Sequence, residues 1–186
     1  MADLAQRTLP LAGVHGGSAS VRLTPAQPAE RISLRARVED VAALSQALGV
    51  DLPTNPKMSA SANGRTALWL GPDEWLVIEE GGASVADGLV AACAASGVVH
   101  SAVDVSHRNT AIVAEGSGAA AAINAGCPLD LSLKSFPVGA CTRTIFGKIE
   151  IVLLRTGEEA FRVEVWRSFS DYAFSLLAEG AVDAAI

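Results

Sequence analysis

The sequence contains little cysteine. Its 186 residues include three, Cys93, Cys127 and Cys141, which are odd in number and widely spaced. That pattern excludes a disulfide framework and any CxxC zinc or redox site. We therefore expect a cytoplasmic location, where thiols stay reduced.

Charged residues are also scarce, and cations are the scarcer sign. They make up 18% of the chain, and 14 Lys and Arg against 20 Asp and Glu give a formal net charge of −6. An acidic balance argues against nucleic-acid binding, because phosphate contacts need clustered Lys and Arg. Half of the residues are apolar, which excludes an intrinsically disordered chain.

Long apolar runs are missing as well. The longest uncharged stretch lies between Asp87 and Asp104, holds 16 residues and is interrupted by glycine, serine and histidine. A transmembrane helix needs about 20 predominantly apolar residues, so we expect no membrane span. The N-terminus has no basic start followed by an apolar run, so we expect no signal peptide. The mean hydropathy is nevertheless high, at +0.34, and a buried interface with partner chains is the simplest explanation of it.

The first half of the chain has a recognisable order of elements. Residues 1–30 are rich in Pro, Gly, Ala and Ser without a sustained period and indicate an N-terminal arm. In residues 31–106, apolar side chains alternate along Arg31–Val38, which predicts a strand with one solvent-exposed face. The other predicted elements are a helix from the cap Asp40 to Gly49, strands over 66–70 and 74–79, a helix opened by Ser84 and Asp87, and a strand over 98–105. This order is typical of a ferredoxin-like unit.

A second, related unit follows in residues 107–186. Its predicted elements are a strand over 109–115, a short helix capped by Ser117, strands over 142–146, 149–155 and 161–166, and a last helix opened by Ser168 and Asp171. The sequence therefore predicts an α+β fold of two ferredoxin-like (βαββαβ-type) halves with antiparallel sheets. The two halves meet near residue 106 within one compact domain.

One short motif fits a phosphate-binding loop. Residues 116–121 match GxGxxA between a strand and a helix, where helix amides could hold a pyrophosphate. Three features oppose this interpretation. Glu115 would lie beside the phosphates, no parallel strand follows the helix directly, and Cys127-Pro128 interrupts the strand-helix unit. The alternative is a tight turn that needs small residues for packing. A dinucleotide-binding enzyme thus stays one of the possible functions of this chain.

The segment Asp104-Val105-Ser106-His107-Arg108 holds all three residue types of a nucleophilic triad. Strand alternation places Asp104, Ser106 and Arg108 on one face and His107 on the other, so the segment is not a local triad. We expect it to serve a structural or interface role. The three histidines and the scattered cysteines have no metal-ligand spacing, so we expect no metal site. The sequence also shows no nucleophile and no convincing phosphate loop, so we expect no catalytic residue and no cofactor-binding residue on this chain.

The three tryptophans have two interpretations. Trp69, Trp75 and Trp166 lie in or beside predicted strands, which favours packing in a core or on a sheet face. The alternative is an anchor in a partner's pocket, since Trp and Arg supply much of the binding energy of interfaces. The candidate interface residues are therefore Trp69, Trp75, Asp104, Ser106, Arg108, Trp166 and Arg167.

Five motifs, in this order, resemble the gamma subunit of heterotetrameric sarcosine oxidase. They are LGPDEWL at 70–76, DVSHR at 104–108, CPLDL at 127–131, RTIFGK at 143–148 and FRVEVWRSF at 161–169. No single motif is diagnostic, and the resemblance covers about residues 60–180. It implies a fold similar to the folate-binding domain of the glycine-cleavage T-protein (the folate-binding aminomethyltransferase superfamily), which agrees with the doubled α+β pattern.

The resemblance also implies partners and an overall reaction. The partners are alpha, beta and delta subunits, and the assembly oxidises sarcosine with oxygen to glycine and hydrogen peroxide. The one-carbon unit passes to tetrahydrofolate or leaves as formaldehyde. FAD, FMN, NAD, zinc and tetrahydrofolate are implied for the other subunits, and this chain is implied to support assembly without catalysis. A stand-alone folate-binding protein of the same fold is the alternative, and it needs an open pocket between the halves with an acidic group.

Overall fold

A computed structural model describes residues 9–81 and 88–185. Two antiparallel sheets face each other, and helices cover the outer face of each. In chain order the strands and helices are β1 (Gly16–Gly17), β2 (Arg22–Pro25), β3 (Ala29–Ala36), α1 (Val41–Leu48), β4 (Ser59–Ala62), β5 (Arg65–Gly71), β6 (Glu74–Glu80), α2 (Gly88–Ala95), β7 (His100–Asp104), β8 (Asn109–Glu115), α3 (Ala119–Asn124), β9 (Cys141–Phe146), β10 (Ile149–Gly157), β11 (Ala160–Trp166) and α4 (Ser170–Asp183). The predicted α+β fold with antiparallel sheets is confirmed.

The five-stranded sheet has the order β4-β5-β6-β3-β7. Without β4, that is the order of a ferredoxin-like unit whose two helices are α1 and α2. The alternation in β3 places Ile32 and Leu34 against these helices, as the sequence predicts. The opposite face of β3 differs from the prediction of a solvent-exposed surface. Arg31 is 2% exposed, because the second sheet covers that face.

The six-stranded sheet has the order β1-β2-β8-β11-β10-β9. Its strand β2 comes from the residues that the sequence analysis assigned to an arm. It runs antiparallel to β8, with Leu23 opposite Ala114, and Leu23 is fully buried. Residues 22–25 are thus part of the second half's sheet rather than an appendage. Proline and alanine in this stretch break the local period, whereas the pairing depends on a partner about 90 residues away.

Three apolar layers hold the molecule together. One lies between the six-stranded sheet and α3 with α4, and it includes Phe146 and Phe161. A second lies between the five-stranded sheet and α1 with α2, and it includes Trp75. The third is a thin layer between the two sheets, formed by Ala29, Leu68, Leu76, Ile78, Val105, Cys141, Val152 and Leu154. Residues of both halves form the third layer, so apolar packing joins the two sheets.

Helix ends follow the sequence only in part. Gly49 ends α1 in the left-handed conformation at φ +64°, as predicted. Asp40 adjoins α1 but makes no capping hydrogen bond with its side chain, because a short 3-10 turn over Val38–Asp40 precedes the helix. The predicted caps Ser117 and Ser168 also differ, since Gly118 and Phe169 occupy the N-cap positions of α3 and α4. The predicted Ser84 and Asp87 capping box lies outside the described residues.

None of the described helices combines the length and the apolarity needed to cross a bilayer.

Candidate functional site

An exposed aromatic cluster lies where β11 ends and the chain turns into α4. The rings of Trp166 and Phe169 stack with their centroids 6.1 Å apart, and the Arg108 guanidinium lies 5.1 Å from the Trp166 ring. The backbone N–H of Arg167 donates to the carbonyl of Arg108 at 2.7 Å, which fixes the two segments to each other. Trp166 is 41% exposed and Phe169 is 40% exposed. We call Trp166, Phe169 and Arg108 the aromatic cluster.

The fold thus brings together three of the residues selected from the sequence, Arg108, Trp166 and Arg167. Phe169 was missed, although its spacing of three residues from Trp166 across a helix start could have indicated the contact. Large aromatic rings beside arginine are typical of the energetically important part of protein interfaces. The cluster is therefore a candidate partner contact.

Trp75 and Trp69 lie elsewhere, in the core between the five-stranded sheet and its helices. Trp75 is fully buried, and its indole N–H donates to the carbonyl of Pro53 at 2.7 Å. Trp69 is half-buried and packs against the same core. Trp75 is therefore a core residue rather than an interface residue of this chain, as the packing interpretation of its strand pattern implies.

The Asp104–Arg108 segment forms the connection between the two sheets. Asp104 accepts a hydrogen bond from the backbone N–H of Ser106 at 2.8 Å, a local Asx turn. The buried hydroxyl of Ser106 accepts from the backbone N–H of Arg31 at 2.8 Å. His107 and Arg108 are exposed. The serine thus holds the first strand of one half against the start of the other, which is a structural role.

The glycines of residues 116–121 are explained by packing. A Cβ on Gly116 would lie 2.2 Å from the carbonyl oxygen of Ser20, and one on Gly118 would lie 2.6 Å from the Ser20 hydroxyl. The backbone N–H of Gly118 donates to that same carbonyl at 3.1 Å. The strand-to-helix turn is therefore occupied by the chain's own N-terminal segment, as the packing alternative requires. The structure contradicts the phosphate-loop interpretation.

A buried ionic network lies between the two sheets. Arg31 from β3 donates to both oxygens of Glu164 from β11, with Nε at 2.7 Å and Nη2 at 3.2 Å. Arg162 Nε donates to the same carboxylate at 2.7 Å, and its Nη1 pairs with Glu80. The strand alternation predicts a solvent-exposed position for Arg31, and it gives no sign that these charges meet between the sheets. Their burial depends on the packing of one sheet against the other. The periodicity of a single strand does not predict that packing.

A second ion pair joins the two sheets at another position. Arg143 from β9 donates through Nη2 to Glu74 from β6 at 2.5 Å, and Arg35 donates to the other carboxylate oxygen at 2.9 Å. The hydrogen bond from Arg143 lowers the pKa of Glu74 below its ordinary value, against the opposing effect of partial burial. This contact therefore favours the stacked arrangement of the sheets at neutral pH.

An open cavity of about 430 Å³ lies between the sheets near one end of the network. Its walls combine apolar side chains with hydroxyls and charged groups from both sheets. They are Ser59, Ser61, Thr66, Ile78, Glu80, Val113, Val138, Gly139, Leu154, Arg155, Thr156 and Arg162. A volume of this size falls within the range of small-molecule sites. The cavity lies between the halves, with the acidic Glu80 at its wall.

The cysteines are buried thiols. Burial raises the pKa of Cys93 to about 11 and that of Cys141 to about 12. The Cys141 thiol donates to the carbonyl of Met58 at 3.2 Å. Both side chains are therefore protonated at neutral pH and lack the thiolate that nucleophilic chemistry requires. Within residues 9–81 and 88–185, no three His, Cys, Asp or Glu residues are arranged to hold a metal ion.

Comparison with solved structures defines the class of fold. The chain matches the crystal structure of aminomethyltransferase T of the glycine cleavage system from Bartonella henselae with a TM-score of 0.64 and 19% identity. The match covers 86% of this chain and 45% of that one. At this identity the likeness shows the fold alone, and it confirms the predicted similarity to the T-protein.

The family follows from the sequence comparisons. The model of the sarcosine oxidase gamma subunit family matches residues 35–183, and the chain belongs to that family. Sarcosine oxidase subunit gamma from Arthrobacter sp is 36% identical over 123 residues, which span 66% of this chain and 60% of that relative. A chain of heterotetrameric sarcosine oxidase from Corynebacterium sp. U-96, solved in complex with pyrrole 2-carboxylate, superposes with a TM-score of 0.86 at 28% identity over 97% of both chains. The resemblance found in the sequence is confirmed.

Proposed function

We propose that this chain is a non-catalytic gamma subunit that supports the assembly of a heterotetrameric sarcosine oxidase. The observation that carries the proposal is the superposition, over 97% of both chains, on a chain of such an assembly. Its partners in this proposal are the alpha, beta and delta subunits, and its location is the cytoplasm. The assembled enzyme demethylates sarcosine oxidatively to glycine, with hydrogen peroxide and formaldehyde or 5,10-methylenetetrahydrofolate as the other products.

The positions of the chemically capable groups support a structural role. The serine of the Asp104–Arg108 segment holds β3 by a backbone hydrogen bond, and the buried cysteines are kept as thiols. FAD, FMN, NAD, zinc and tetrahydrofolate accordingly belong to the other subunits in this proposal. The aromatic cluster supplies an exposed feature of the kind that a subunit interface covers.

Co-expression tests the proposal. The chain produced alone should be poorly soluble or self-associating, and co-expression with the alpha, beta and delta subunits should give one stable complex that contains it. Native mass spectrometry of the material that co-purifies with a tagged chain gives the composition directly. A well-behaved monomer that does not join these subunits would contradict the proposal.

A stand-alone folate-binding protein is the second candidate, and the cavity between the sheets favours it. The alternative requires an open pocket between the halves with an acidic group, and Glu80 is such a group, with 64% of its side chain exposed. Calorimetric titration of the isolated full chain with tetrahydrofolate decides between the two. Saturable binding favours the folate-binding protein, and a flat titration removes it.

A further inference from the structure

The network between the sheets contains more buried positive charge than buried negative charge. Arg31 and Arg162 both donate to Glu164, and the three side chains are 2%, 8% and 1% exposed. Arginine stays protonated in proteins, so two guanidinium groups share one buried carboxylate. One positive charge is left to be compensated from outside this trio.

The compensating group is held at the surface. Glu80 pairs with Nη1 of Arg162, yet 64% of its side chain is exposed, at the end of β6. An ion pair with one partner in water is weak, because the water-exposed carboxylate is solvated equally well without it. Arg162 has further hydrogen-bonding capacity, since its Nη2 has no hydrogen-bond partner among the residues that the structure describes.

The cavity places space for a ligand beside this arginine. Arg162 and Glu80 both line it, and apolar walls come from Ile78, Val113 and Leu154. Hydroxyl groups lie on the side of the edge strand β4, where Ser61 is exposed and shares a hydrogen bond of 3.0 Å with Thr66. An apolar body with one anionic end matches this distribution of walls and charge.

We propose that the cavity binds a small carboxylate with an apolar body, and that its carboxylate replaces Glu80 at Arg162. The exchange keeps the arginine paired with a negative charge and releases Glu80 into water, where it is already mostly exposed. Hydrogen bonds between ions are stronger than those to neutral acceptors, so the site binds a carboxylate more tightly than an uncharged analogue of the same shape. The inference concerns a site on this chain and does not rest on the proposed role in assembly.

Calorimetry with benzoate tests the site, and benzamide serves as the uncharged analogue of the same shape. The protein is the full chain, studied in its co-purified complex if the isolated chain self-associates. We expect saturable benzoate binding and at least about tenfold weaker benzamide binding, because benzamide lacks the charge that Arg162 recognises. Equal binding of the two compounds, or no binding of benzoate, would overturn the proposal.

Three variants locate the site without removing the buried arginine. Ser61→Trp places an indole at the cavity and should abolish benzoate binding, whereas Ser101→Trp makes the same change at an exposed serine on β7, the opposite edge of the sheet, and should leave it unchanged. Glu80→Gln removes the competing carboxylate and should tighten benzoate binding about three- to tenfold. Benzoate binding that survives Ser61→Trp lies elsewhere, on this chain or on a partner, and counts against the proposal. Weaker binding to Glu80→Gln does so too.

Discussion

At the scale of single residues, the packing of the two sheets against each other decides which charged side chains are buried. Arg31 belongs to the face of β3 that its alternating sequence predicts to be exposed. It is buried because the second sheet covers that face, and Glu164 of that sheet accepts two hydrogen bonds from it. Removing one partner from such a group is costly, since the remaining charge has lost its water and gained nothing in return.

Glu164→Gln is therefore expected to destabilise the fold by about 3–5 kcal/mol, because it leaves two buried guanidinium groups without their shared carboxylate. Urea unfolding followed by tryptophan fluorescence measures the loss. The control is Glu115→Gln, which removes the partner of Arg22 in a pair that is 39% and 71% exposed and should cost less than about 1 kcal/mol. Similar losses for the two variants would show that the network is not important for stability.

Residue identity alone predicted part of the candidate site. Arg108, Trp166 and Arg167 were selected because Trp and Arg are typical of interfaces, and the fold places them side by side. Trp75 was selected for the same reason and is fully buried. Trp75 and Trp166 both lie in predicted strands, so the sequence around them does not distinguish the buried tryptophan from the exposed one. Trp75 is buried because α1 and α2 cover its face of the five-stranded sheet, whereas Trp166, at the end of β11 in the other sheet, is 41% exposed.

At the scale of elements, α3 and α4 pack unusually closely at Gly180. A Cβ at this position would lie 2.5 Å from the carbonyl oxygen of Ala122 and 2.9 Å from the Cβ of Ala125. Glycine within a helix is unfavourable by about 1 kcal/mol relative to alanine. Here the close approach of the two helices explains its presence.

Gly180→Ala should therefore reverse the usual effect of a glycine-to-alanine change and destabilise the fold by about 1–3 kcal/mol, because the added methyl group overpacks the helix contact. Ser175→Ala, at an exposed position of the same helix, should change stability by no more than about 0.5 kcal/mol. Chemical unfolding of both variants checks this. A gain in stability for Gly180→Ala would mean that the helices can separate at little cost.

Two glutamates on neighbouring strands give the first half a dependence on pH. Glu30 on β3 lies opposite Glu79 on β6, near the start of α2. Burial raises the pKa of Glu30, and the negative charges of Glu79 and Asp104 raise it further, while a hydrogen bond from Leu89 opposes them. A carboxyl whose pKa is raised on folding binds more protons in the folded state, so stability falls as pH rises through that pKa.

Glu30→Gln should thus stabilise the protein at pH 7 by about 0.2–1 kcal/mol, because it removes one of two like charges on adjacent strands. The advantage should shrink as pH falls and vanish below the ordinary glutamate pKa of about 4.3, where Glu30 is protonated in both the folded and unfolded states. Urea unfolding of the wild type and the variant from pH 4 to 8 measures the difference. An advantage that does not vary with pH would exclude the charge as its cause.

At the scale of the whole molecule, contacts join the two sheets, and an aromatic cluster is exposed at the surface. The thin layer between the sheets and the Glu74–Arg143 pair join the halves. Trp166 and Phe169 remain about two-fifths exposed. Exposed aromatic side chains beside an arginine fit the proposed role in assembly, because their burial by a partner supplies binding energy.

Trp166→Ala should reduce recovery of the chain in the co-expressed complex by at least about tenfold, as expected when an aromatic anchor worth about 2 kcal/mol is lost. Pull-down from co-expression, with quantitative mass spectrometry, measures the recovery. The control Val38→Ala changes another exposed apolar side chain, 70% exposed and located in the first half. Equal recovery of the two variants would remove the aromatic cluster from the interface.

The sequence by itself determined the order of elements from β3 to α4 apart from the edge strand β4, the end of α1 at Gly49, and a family likeness carried by five short motifs. These features are local: strand alternation, glycine geometry and residue identity act over a few neighbouring positions. Only the tertiary structure decided that β2 pairs with the second sheet, that Arg31 and Glu164 are buried, and that a cavity lies between the sheets near Arg162. Each of these depends on contacts between segments far apart in the chain, and the burial of a face is a property of what covers it.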